Sequence, residues 1–168
     1  MNGGRAVKAL ALFAAVQATF SDVHPFCDQI VQNSDDAANK GKPGWVGRKA
    51  CARHVATYSA GQLVAAVGVT RALGFGASWS SLLAGTVING ITHYVIDRRE
   101  PLKKFLRSKA IGKAGYLDHA TVQRRPGVVD EGGPGTALME CDQAAHRLIS
   151  VFASLTTTWL ALRGGSRR

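Results

Sequence analysis

Residues 79–97 read WSSLLAGTVINGITHYVID, and this stretch decides how the chain folds. It is apolar along most of its length, yet Asn89, His93 and Asp97 recur at intervals of four. Residues i and i+4 of an α-helix share one face, about one turn apart. A single polar line therefore runs down an otherwise apolar helix. Its length matches the hydrocarbon core of a bilayer, and polar groups in such a span face the interior of a bundle. The stretch predicts a helix that meets other helices along its polar line.

Three further segments repeat the arrangement. His24, Asp28 and Gln32 form one line; His54, Tyr58 and Gln62 form another; Asp142, His146 and Ser150 form a third, with the acid now preceding the histidine. Four of the five histidines are thus accounted for. Imidazole, carboxylate and phenol are groups that bind transition metals or move protons. The expected helices cover about 6–33, 50–73, 79–97 and 138–162. Residues 6–23 read either as a signal peptide, with Arg5 and Lys8 as its charged region, or as a retained first membrane helix, which is the reading carried forward. Pro25 predicts a kink or restart beside His24.

The 168 residues are enough for one domain with a core. Hydrophobic residues make up 46% and charged residues 19%, with a net charge of +10. The fold expected is all-α: one four-helix up-down bundle spanning residues 1–168, transmembrane, with an additional amphipathic helix in the third connection. A soluble bundle with Ala- and Gly-rich helices is the alternative. That third connection comprises a basic segment, 98–113, in which Leu102, Phe105 and Leu106 interleave with seven Lys and Arg, followed by a loop over 114–137. The charge reads as membrane-flanking and suited to anionic lipid; no nucleic-acid-binding motif accompanies it.

In an up-down bundle the ends carrying His24, His54, His93 and His146 fall together. The loops on that side hold Lys40, Lys42, Arg48, Lys49, the basic 98–113 segment, Arg124 and Arg125; the other side holds Arg5, Lys8, Arg71, Arg163, Arg167 and Arg168. The positive-inside rule then places the polar cluster near the cytoplasmic face of a bacterial inner membrane. His24, Asp28, His54, His93, Asp97, Asp142 and His146 are the expected metal ligands. Seven candidates exceed the four that zinc usually takes. They suit either two ions or one ion with carboxylates orienting the imidazoles. The ion expected is divalent, zinc first, with manganese or iron as alternatives. A hydrogen-bonded His–Asp network without metal is the plain alternative. Cys27, Cys51 and Cys141 lack disulfide spacing and read as small apolar neighbours of the polar lines or as thiolate ligands. Asp118, His119 and Tyr58 are the candidate acids or bases, with His119 otherwise a solvated loop residue.

The segments HPFCDQIVQ (24–32), ARHVATY (52–58), THYVIDR (92–98) and CDQAAH (141–146), in that order, resemble an uncharacterised family of small bacterial and phage membrane proteins. That family carries HxxxDxxxQ, a helix-opening His, HxxxD and a late DQxxH. The resemblance runs over roughly residues 10–160 and implies Gln32 and Gln143 as family-type polar positions beside the seven candidate ligands. More distantly the chain is similar to membrane-bound metal-dependent hydrolases, and through them to helical zinc-dependent phospholipase C and single-strand nuclease folds. It departs from those in lacking their N-terminal Trp ligand and most of their length. Three functions follow: hydrolysis of a phosphoester; a metal- or network-stapled membrane protein that binds a partner or senses metal or protons; and nucleic-acid binding, which is disfavoured.

Overall fold

The computed structural model describes residues 3–164, so Arg167 and Arg168 of the expected charge balance lie outside the described residues. Helix α1 (Gly3–Pro25) runs directly into a π-helical segment, Phe26–Val31, followed by α2 (Ser34–Asn39) and α3 (Gly44–Ala72). Then come α4 (Trp79–Asp97), α5 (Glu100–Arg107) and α6 (Ala114–His119). A small antiparallel hairpin of β1 (Val122–Arg125) and β2 (Val128–Asp130) precedes α7 (Ala137–Gly164). Helices α1, α3, α4 and α7 form the bundle. Each of α1 and α4 packs on both α3 and α7, giving the ring order α1–α3–α4–α7.

The fold is all-α apart from the hairpin, and four local details differ from the expectation. Pro25 does not stop α1. Its ring and missing N–H disturb the i−4 hydrogen bond, and the helix absorbs this by widening at once into the π segment. The 33–49 loop contains α2, capped by the Asn33 side chain accepting from the Asp35 N–H at 2.8 Å. Helix α3 starts six residues early, at Gly44, whose φ of 74° is open to glycine. The 114–137 loop holds α6 and the hairpin, turned at Pro126–Gly127.

The amphipathic helix α5 forms where the leucine spacing placed one. Its apolar face turns into the protein: Leu102 and Leu106 pack with Ile96, Leu117, Ala137 and Leu138. The bundle core at the opposite end is Leu12, Val16, Phe20, Ala66, Leu82 and Ala153. Between and around these lie buried Thr19, Gln62, Thr70, Thr86, Asn89 and Ser150. Their hydroxyls mostly bond back to their own helices, as in Thr70 Oγ1 to the Ala66 carbonyl at 2.7 Å and Thr86 Oγ1 to the Leu82 carbonyl at 3.0 Å. Gln62 and Asn89 bond across α3 and α4 at 3.0 Å. Close helix approach requires small residues here: a Cβ on Gly85 would fall 2.0 Å from Thr157 Oγ1.

Among the described helices, the continuous α1 and π unit, Gly3–Val31, is long and apolar enough by composition to cross a membrane. Helices α3, α4 and α7 are 29, 19 and 28 residues long. Their inward Ser, Thr, Gln, Asn and His lower their hydropathy.

Candidate metal centre

The antiparallel ring brings the end of α1, the first half of α3, the end of α4 and the first half of α7 to one level. There Asp28, His54, His93 and Asp97, all buried, turn ligand atoms towards a common point. His54 Nε2 lies 2.8 Å from His93 Nε2 and 3.1 Å from both Asp28 Oδ1 and Asp97 Oδ2. His93 Nε2 is 3.1 Å from Asp97 Oδ2 and 3.7 Å from Asp28 Oδ1. Zinc bonds of about 2.0–2.1 Å in a tetrahedron separate neighbouring ligand atoms by about 3.3–3.4 Å. The separations of 2.8–3.7 Å within the quartet bracket that figure. Two imidazole nitrogens 2.8 Å apart share at most one proton, so a cation between them and the carboxylates fits the donor set.

His93 and Asp97 meet because their helical spacing of four holds in α4. His24 and Asp28 straddle Pro25 instead, and the π segment turns Asp28 inward while His24 faces its neighbours. His24 Nδ1 is 3.1 Å from the Tyr58 hydroxyl. The Tyr58 ring in turn stacks on His93, with centroids 3.9 Å apart at 25°. Packing of this kind orients the His54 and His93 rings, because their Nδ1 atoms are buried without hydrogen-bond partners.

A second group shares Asp97: Asp97, Asp142 and His146 also offer mutually close ligand atoms. His146 Nδ1 is 2.8 Å from the Asp142 carbonyl oxygen and 3.3 Å from Asp142 Oδ2. Six of the seven expected ligands fall in these two groups; His24 belongs to neither, and lies at the same level with its ring 4.6 Å from that of His146.

Other expected residues stand apart. Asp118 and His119 are exposed, at the end of α6. Arg107 pairs with Asp118 and holds its carboxyl below the usual carboxylate range. The ion pair and the burial of Leu117 against the α5 core fix α6 away from the cluster. Tyr58 is the one candidate acid or base that the fold brings in. The metal-ligand groups among the described residues include no cysteine. Cys27 is buried against Gly61, where a Cβ would lie 2.7 Å from its sulfur, and the Cys51 thiol points to the Tyr94 carbonyl at 3.6 Å.

Sequence reasoning read Lys40 only as loop charge, yet its ammonium enters the site. Lys40 Nζ is 2.9 Å from both Asp28 Oδ1 and Asp97 Oδ2. Burial alone would lower its pKa, but the Asp97 and Asp28 carboxylates outweigh this and raise it above the ordinary lysine value. The loop behind it is anchored firmly. Arg98 donates to the carbonyls of Lys40 and Lys42, each at 2.6 Å, and Arg53 pairs with buried Asp36 to fix α2 on α3. A cavity of about 780 Å³ opens over Asp28, Lys40 and Asp97, with Arg99 and Arg147 also on its walls. Arg99 has φ of 59° and wedges between two glycines: a Cβ on Gly41 or on Gly132 would lie 2.9 Å from its side chain. Gln143 reaches across the cavity wall to Asp28 Oδ2 at 3.5 Å.

These features stand without help from known proteins: no family model matches the chain, and neither a curated protein nor a solved structure is significantly similar to it.

Proposed function

We propose that this chain is a membrane-embedded, metal-dependent hydrolase of a phosphoester, with one divalent cation held by Asp28, His54, His93 and Asp97. The observation that carries the metal is the convergence of four ligand atoms at 2.8–3.7 Å in a buried site that meets a cavity. A divalent ion supplies Lewis acidity there and lowers the pKa of water. Lys40, Arg99 and Arg147 give the cavity the cationic lining a phosphate group needs. Tyr58 lies beside His24 and His93 and positions both rings.

The membrane reading is supported by what each helix presents outward. On α4, Leu83, Val87, Ile91 and Val95 are exposed at intervals of four; on α7, Leu148, Phe152, Leu155 and Trp159 are exposed. Buried hydroxyls, amides and imidazoles share the interior with the Leu12–Val16–Phe20–Leu82 core, so the interior is more polar than the outward faces of α4 and α7. That inversion suits lipid as the surrounding solvent. Three exposed tryptophans mark the levels of the bundle ends. Trp45 sits by Lys49 at the metal end; Trp79 and Trp159 sit by Arg71 and Arg163 at the other. Aromatic side chains with basic neighbours belong at membrane interfaces. Helix α4 spans about 27 Å at 1.5 Å per residue, close to a hydrocarbon core. The basic loops at the metal end favour the cytoplasmic face of an inner membrane.

Metal analysis of detergent-purified protein tests the site. Near-stoichiometric zinc or manganese that disappears in His93→Ala is the expected result; folded, metal-free wild-type protein overturns it. Retention in the membrane fraction after an alkaline wash tests the location, and full release rejects it. The metal-loaded protein should cleave a phosphodiester bond.

A second reading is favoured by the Lys40 contacts alone: an ammonium between two carboxylates can staple the bundle end without catalysis. Metal-loaded protein that turns over no phosphodiester supports this staple.

A further inference from the structure

Asp97 has two carboxylate oxygens, and they face different partners. Oδ2 faces the quartet, 3.1 Å from both His54 Nε2 and His93 Nε2. Oδ1 faces α7, 3.9 Å from His146 Nε2. That distance is too long for a hydrogen bond. The tautomer of His146 makes the contact more informative. Both groups near its Nδ1, the Asp142 carbonyl at 2.8 Å and Asp142 Oδ2 at 3.3 Å, are acceptors. In the neutral imidazole Nδ1 therefore carries the proton and donates it, leaving Nε2 to present a lone pair. His146 is only 4% exposed, and its Nε2 has no hydrogen-bond partner among the described residues.

A buried lone pair thus faces a buried carboxylate oxygen with no donor between them. Such an arrangement is unfavourable unless a cation lies between. A histidine whose far nitrogen donates to a backbone carbonyl or carboxylate is also the arrangement that metal-ligating imidazoles adopt. Charge leads to the same place. Three carboxylates, Asp28, Asp97 and Asp142, converge around the one ammonium of Lys40, which contacts only the first two. Among the described residues, Asp142 and the outer oxygen of Asp97 have no Lys or Arg within ion-pair distance.

We propose that Asp97 is a bridging carboxylate and that a second divalent cation of the zinc or manganese class binds between its outer oxygen, His146 Nε2 and Asp142. This rests on the metal reading of the quartet and extends it to a paired site. Paired ions bind the attacking and leaving oxygens of a phosphoryl group better than one ion does, so the substrate class is sharpened as well.

Chelator-stripped, full-length protein in detergent is titrated with Mn²⁺ and followed by metal analysis and electron paramagnetic resonance. The expected result is two ions per chain with an exchange-coupled spectrum. His146→Ala should retain one ion with an uncoupled six-line spectrum, and Asp142→Asn should weaken the second ion at least tenfold while circular dichroism shows the bundle intact. One ion per chain in the wild type overturns the bridge and leaves the quartet standing. Two ions retained unchanged in both variants overturn the assignment of the second site. Failure of folded wild-type protein to bind any ion overturns both this proposal and the metal reading.

Discussion

The two ends of the bundle use the same four helices and reach opposite solutions. At the α4 N-terminal end, Leu12, Phe20, Leu82 and Ala153 fill the interior, and the nearby hydroxyl of Thr70 bonds back to its own helix. At the other end four imidazoles and three carboxylates crowd one level, and several of their buried nitrogens find no partner. The first end is filled mainly by apolar side chains, with Gln17 Oε1 and the hydroxyls of Ser154, Thr157 and Thr158 buried among them without partners among the described residues. The second gathers buried His and Asp ligand atoms in an arrangement that could hold a metal ion. Residues that conflict with local packing rules in this way concentrate at functional sites.

Breaking the polar end should have the largest effect. Asp97→Ala removes the carboxylate that Lys40, His54 and His93 all face. It should abolish metal binding and cost about 3–5 kcal/mol, as leaving buried partners unpaired does. Metal analysis with thermal unfolding in detergent checks both. Phe20→Ala at the apolar end should cost about as much, roughly 3–5 kcal/mol, yet keep the full metal content of the folded protein. Saturating metal should raise its melting temperature as it does for the wild type, because binding adds about 2.7 kcal/mol at one hundred times Kd. The same metal addition should leave Asp97→Ala unmoved. If Phe20→Ala loses its metal while folded, the two ends are coupled more tightly than this division allows.

Smaller effects sharpen the contrast within the polar end itself. Lys40→Met removes the one ammonium competing for the quartet, so metal should bind about tenfold or more tightly, given the size of a nearby like charge. Isothermal titration measures this, and a weaker affinity would make Lys40 a support of the ion instead of its rival. Turnover of a phosphodiester should fall in the same variant. Asp118→Asn lies at the bottom of the scale: it breaks an exposed pair with Arg107, and metal content and turnover should match the wild type.

The parts of the fold written in helical spacing were legible before the structure. His93 and Asp97 sit in unbroken helix, so their period of four translated directly into proximity. The reversal of helix direction then placed His54 and His146 with them. Legibility ended where geometry depends on something other than period. His24 and Asp28 are four apart, yet the π segment between them redirects one relative to the other, and no residue pattern announces such a widening beyond Pro25. Lys40 follows a six-residue helix in a polar loop; its position depends on Arg98 gripping two backbone carbonyls from another helix. Long-range clamps of that kind leave no periodic trace. Asp118 and His119 mark the converse error. Proximity to the site was inferred from being on the same side of the bundle, but the Leu117 anchor and the Arg107 pair hold that helix aside.

Arg99 adds a kinetic dimension. Its side chain passes between the backbones of Gly41 and Gly132, which belong to loops ninety-one positions apart in the chain. It is a strut across the mouth of the cavity, held in a backbone conformation that a non-glycine residue adopts at a cost. Arg99 is in neither group of candidate ligands, so if the quartet holds an ion, removing this strut should change how fast the ion exchanges more than how tightly it binds. Stopped-flow exchange of metal in Arg99→Ala should therefore quicken with little change in Kd, which would make residence time, as well as affinity, a property that the loops over the cavity set.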